Sequence, residues 1–137
     1  MMDRILIKNY DAAAAVTVRR IVRFDSSSPN PSVQHATAAT DSSIGVSTMS
    51  GDSQPSGTPG VIASGNRVDV ILLGITELEA GAAFSAGALL TADSTGRGIV
   101  AAPAAGVNNR VVGIALQPAS AAGDIVQMCV NPISLQG

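Results

Sequence analysis

The sequence is poor in the residues on which catalysis, metal binding and covalent bracing depend. Its 137 residues include no tryptophan, one cysteine and one histidine, and the aromatic residues are Tyr10, Phe24 and Phe84. A single cysteine, Cys129, excludes an intrachain disulfide and suits a reducing compartment. Inside the apolar run IVQMCV it reads as a buried, inert thiol. His35 has no cluster of cysteines, histidines or carboxylates beside it in sequence, so neither a metal site nor a cofactor is expected. There is no Gly-x-Ser-x-Gly elbow, no dinucleotide fingerprint and no P-loop. A hydrolase would have to pair a serine with His35, and a carrier module of the barrel-sandwich type would need a lysine at an exposed hairpin tip. The one lysine is Lys8, close to the N-terminus. Glu77 and Glu79 would share one face of a strand, and a solvated face accounts for them without acid–base chemistry. The composition therefore argues against an enzyme.

Other absences bound the partners. Net charge is −2, which gives no support to general nucleic-acid binding. Base stacking is also excluded by the scarcity of aromatic rings. The longest weakly polar stretch, AGAAFSAGALLTA, is short and glycine-rich, so no transmembrane segment is expected. Lys8, Asn9, Tyr10 and Asp11 interrupt the apolar centre that a signal peptide would need.

What is abundant is small: alanine, valine, glycine and serine. The length fits one domain, but small side chains bury little area each, at roughly 25 cal/mol per Å². Such a thin core predicts stabilisation by association. Charge is uneven. Arg4, Lys8, Arg19, Arg20 and Arg23 face only Asp3 and Asp11 in the first stretch, whereas acids outnumber bases in the rest. Residues 1–23 thus read as a basic arm and first strand, and residues 24–137 as a β-rich domain. The arm suits docking on a partner by strand addition or charge. Arg19, Arg20 and Arg23 read equally as the guarded solvent face of an edge strand.

β-Branched residues predict a strand near Thr17–Phe24. DSSSPNPS (Asp25–Ser32) is a turn, and strands follow around Val33 and Ile44–Val46. The Gly/Ser/Pro-rich stretch 49–66 is a long loop. RVDVILLGITELEAG is the strongest strand signal, apolar on both faces. A helix over Glu77–Leu90 would carry two interior glycines at roughly 1 kcal/mol each, so strands and turns are preferred there. The chain also echoes itself. Asp25–Ser47 lies over Asp93–Ala115 without gaps, pairing Asp25 with Asp93, Ser26 with Ser94, Ala36 with Ala104 and Gly45 with Gly113. Ile44 and Val46 fall on Val112 and Ile114. The expected fold is all-β: a small barrel- or sandwich-like domain of two pseudo-repeated units with an extended N-terminal arm. Gly45 and Gly113 then mark packing or bulge positions within strands.

The pieces VRFDSSSP, ATAATDSSIGVS, GNRVDVILLGITELEAG, GALLTADSTGRGIVAAPAAG, RVVGIALQPASAAGDIVQMCVNP and ISLQG occur in an order and spacing that resemble the small head-decoration, or capsid cement, proteins of tailed bacteriophages. The resemblance runs from Val22 to the end; the loop at 49–66 is longer than is usual there. It implies a structural virion protein, assembled in the host cytoplasm and bound to the outside of the phage head. Such a protein would stabilise the shell by bridging subunits of the major capsid protein, most often as a homotrimer. It implies no catalytic residues. Combined with the charge distribution, it makes Arg4, Lys8, Tyr10, Arg19, Arg20 and Arg23 the candidate capsid contacts.

Overall fold

Segments rich in β-branched residues become strands, and the Asp, Gly, Ser and Pro clusters between them become turns. The computed structural model describes residues 4–27, 29–49 and 58–137, with Arg4 described by its backbone. Eleven strands are present among these residues and no helix: β1 (Arg4–Ala12), β2 (Val16–Thr17), β3 (Ile21–Phe24), β4 (Ser32–His35), β5 (Ser43–Thr48), β6 (Val61–Ile62), β7 (Arg67–Glu79), β8 (Leu89–Ala92), β9 (Gly98–Val100), β10 (Asn108–Ala115) and β11 (Ile125–Gln136). Residues 50–57 of the expected loop 49–66 lie outside the described residues; the loop returns through β6, which pairs with β2.

Nine strands form one mixed sheet in the order β1-β4-β3-β5-β7-β11-β10-β8-β9, and β1 also pairs with β7. The strands β1, β4, β3, β5 and β7 therefore close a ring. Its interior is filled by Tyr10, Ala12, Val16, Val22, Val33, Ile62, Val68 and Val70. The second half of β7 pairs antiparallel with β11, and Ala80, just beyond β7, bridges in parallel to Gly98 of β9. That closes a second ring of β7, β11, β10, β8 and β9, packed around Leu78, Phe84, Leu90, Val126 and Met128. The two rings share β7, whose first half lines one core with Val68 and Val70 and whose second half lines the other with Leu78.

The rings are copies of each other, and the copy starts earlier than the sequence suggests. Val22 opposite Gly45 matches Leu90 opposite Gly113, and Val46 opposite Ile71 matches Ile114 opposite Cys129. The parallel pair Ala12–Val33 matches Ala80–Gly98, so β1 is the counterpart of the second half of β7. In both turns an aspartate carboxylate accepts a backbone N–H two residues on, Ser27 N–H to Asp25 and Thr95 N–H to Asp93. This is the Asx turn that such sequences favour. One expected pairing is corrected. The β3–β4 hairpin is longer than the β8–β9 hairpin, so Val33 rather than Asn30 takes the place of Gly98, and Ala36 does not match Ala104.

A second correction concerns the strand expected near Thr17–Phe24. It is broken at Val18–Arg20 into β2 and β3, because Arg19 turns the chain with φ of 63°. The N-terminal segment is extended as predicted and runs antiparallel along β7 from Arg4 to Asp11. Its register is pinned by Asp69, which is 2% exposed and accepts a hydrogen bond from Asn9 Nδ2 at 2.8 Å. Arg67 joins the group through Asn9 Oδ1 and Asp11, the latter at 2.9 Å. A buried carboxylate is tolerated only when paired in this way.

Candidate binding surface

The six candidate contacts fall into two kinds. Lys8 is exposed on β1, its ammonium 5.9 Å from the centre of the Tyr10 ring. Beside it Ile5, Leu6 and Ile7 are 74%, 51% and 43% exposed, although alternation along a strand normally hides every second residue. Backbone pairing of Arg4 with Gly74 places Arg4 at the start of this strip; its side chain lies outside the described structure. Arg19 is also exposed. The remaining three are engaged in the fold. Tyr10 is buried, with the Phe24 ring edge-on at 5.3 Å, and burial raises its pKa. The Arg20 Nε and one terminal nitrogen converge on Glu79 Oε2, each at 2.7 Å, while the other terminal nitrogen donates to Thr95 O at 2.9 Å. Arg23 Nε lies 3.1 Å from Asp41 Oδ2, in ionic contact without the alignment of a hydrogen bond.

Among the described non-glycine residues, Arg19 is singular in its backbone. It holds a left-handed conformation, and its counterpart in the second ring, at φ of 89°, is Gly87. The same bonds impose the corner in both halves: Arg19 N–H donates to Ser47 O at 2.8 Å and Gly87 N–H to Ala115 O at 2.7 Å. A side chain there costs about 1 kcal/mol or more relative to glycine. Arg19 recovers little of this from the described residues. Its contact with Glu77 is 3.7 Å long, between side chains 47% and 37% exposed, and pairs that exposed contribute about 0.5 kcal/mol. Next to it is a cavity of about 120 Å³ lined by Val18, Arg19, Thr48, Met49, Thr76 and Glu77.

The residues weighed for chemistry are placed as follows. His35 Nε2 accepts the Thr17 N–H at 2.9 Å, which occupies the lone pair that a general base would use. Burial, with the Arg20 charge nearby, lowers its pKa. Glu77 and Glu79 share a face of β7 and pair with Arg19 and Arg20. Cys129 is half-buried between its strand partners Ile75 and Ile114.

The sequence pattern that defines the phage cement proteins matches residues 5–130, nearly the whole chain. The chain belongs to the phage cement protein family. As a cement protein it is a structural component associated with the phage capsid. Among curated proteins, none matches the sequence. One similar solved structure is the N base of the head fiber protein gp8.5 of bacteriophage phi29, with a TM-score of 0.63 over 96% of this chain and 95% of that one, at 17% identity. At that identity the likeness is one of fold. The match to the cement family begins within β1, so the exposed Ile5–Lys8 strip is part of the family unit.

Two features of this surface escaped sequence reasoning. Exposed Ile5, Leu6 and Ile7 look like ordinary core residues in a sequence. The left-handed corner at Arg19 had a signal, since extending the internal repeat back through β1 sets Arg19 against Gly87, a residue type suited to that conformation.

Proposed function

We propose that this cement protein binds the outer surface of the phage head and stabilises the shell by bridging subunits of the major capsid protein, as a homotrimer and without catalysis. The observation that carries this reading is the family match over residues 5–130 together with the exposed apolar and cationic strip Ile5–Lys8 that it includes. The capsid contacts are drawn from Arg4, Lys8, Tyr10, Arg19, Arg20 and Arg23. Lys8 and Arg19 are exposed to touch the shell, Arg4 begins the same strip, and Tyr10, Arg20 and Arg23 hold the surface from beneath. Many weak contacts suffice on a lattice, because each attached subunit raises the effective concentration of the next contact. Co-sedimentation with expanded empty heads tests the reading, with light scattering of the free protein for the trimer. Binding should weaken several-fold for Lys8→Glu and for Ile5→Asp. Wild-type protein that stays in the supernatant would remove the proposal.

A further inference from the structure

We infer that the cavity beside Arg19 is the point at which a segment of the capsid protein inserts an amide group, with Arg19 as the anchor that recognises it. This rests on the capsid-binding reading above. The fold requires a left-handed corner at this position and is served by glycine at the equivalent corner, Gly87. Arginine therefore stands there against the backbone's preference, and its exposed, long contact with Glu77 gives no compensating reason among the described residues. Residues held in unfavourable conformations gather at sites of binding, where the strain serves a purpose.

The chemistry of the cavity selects its occupant. Arg19 offers only donors and Glu77 only acceptors, side by side at the rim of a space of about 120 Å³. A carboxylate would meet Glu77 and an ammonium would meet Arg19. An amide, as in an asparagine or glutamine side chain, satisfies both, its carbonyl accepting from the guanidinium and its N–H donating to the carboxylate. The corresponding corner of the second ring, Ala86, Gly87, Leu116 and Gln117, carries no charge, so the site belongs to the first ring alone.

The test uses the full chain and expanded empty heads, with thermal melting alongside. Arg19→Gly should melt about 2–4 °C higher than wild type, since it removes the strain, while its affinity for heads falls about tenfold. Glu77→Gln should also bind several-fold more weakly. Arg110→Gln, which removes the same charge from an exposed position on β10, should bind as wild type does. The inference is overturned if Arg19→Gly binds unchanged, melts lower or fails to fold, if Arg110→Gln loses as much affinity, or if Arg19→Gly loses self-association while head binding persists. Failure of the wild type to bind heads would instead remove the capsid reading itself.

Discussion

Gly45 and Gly113 occupy the same place in the two rings, each with a neighbouring strand's carbonyl where a side chain would begin. A Cβ on Gly45 would lie 2.1 Å from Ile71 O, and one on Gly113 would lie 1.9 Å from Cys129 O. The relationship follows from the shared register, in which the next residue, Val46 or Ile114, is opposite Ile71 or Cys129. Each glycine lets two strands approach more closely than any larger residue permits. Gly45→Ala and Gly113→Ala should each cost about 3 kcal/mol or more, because backbone rather than a yielding side chain obstructs the new methyl. Urea unfolding measures this; a loss below about 1 kcal/mol in either variant would show that the strands can part.

Two ion pairs that look alike in sequence should differ in stability. Arg20 and Glu79 have side chains 17% and 21% exposed and are held by a further bond to Thr95 O, which ties β3 to the β8–β9 turn. Arg67 and Asp11 are 45% and 48% exposed. Arg20→Ala should cost about 2 kcal/mol, as for a sheltered hydrogen bond to a charged group. Arg67→Ala should cost less, about 1 kcal/mol, because its bonds to Asp11 and Asn9 are exposed to water and salt. Denaturation at low and high salt reads both, and equal losses would contradict the assignment.

Acid should loosen the protein through His35 before it reaches the carboxylates. Unfolded, the imidazole titrates near about 6.5; folded, burial keeps it neutral to lower pH, and the Thr17 N–H needs Nε2 unprotonated. Between the two values the unfolded state holds more protons. The contribution is therefore fully present above pH 6.5 and is lost as pH falls toward the lowered folded value. His35→Gln should flatten the stability profile below pH 6.5. Asp93 answers in a separate, more acidic range. Burial raises its pKa, but hydrogen bonds from Thr95 and Arg97 and the Arg97 charge outweigh this and leave it lowered. Its contribution is present above about 3.8 and is lost as pH falls through the lowered value. A profile for His35→Gln as steep as that of wild type between pH 5 and 6.5 would contradict the role given to the histidine.

Removal of the N-terminal segment should damage the body as well as its binding. β1 pairs along β7 from Arg4 to Asp11 and closes the first ring, with Tyr10 and Ala12 buried in its core. A chain lacking residues 1–12 should lose cooperative unfolding or aggregate, since the edge of β7 and the face bearing Val68 and Val70 are then uncovered. A sharp melt near the wild-type temperature would show that the arm is dispensable. Point substitutions on the exposed strip are for this reason the cleaner probes of head binding.

The internal repeat was legible because identical turns need identical residues: Asp25 and Asp93 cap their turns, and Gly45 and Gly113 admit a close strand, wherever the rest of the chain goes. The all-β character was legible for the same local reason, in β-branched runs parted by Gly, Pro and Asp. The start of the repeat was not, since β1 and the second half of β7 share almost no residues and are matched only by what they pair with.

The sequence by itself determined the fold class, the repeat and the basic bias of the first 23 residues, all of which rest on conformational preference, periodicity and composition. Only the tertiary structure decided that β7 serves both rings and that Arg20 and Arg23 are spent on Glu79 and Asp41. It alone decided, too, that Ile5–Ile7 face water and that Arg19 holds a glycine's corner. Each of those facts depends on which distant segments meet, and a charge or an apolar side chain carries the same letter whether its partner is a neighbouring strand, water or another protein.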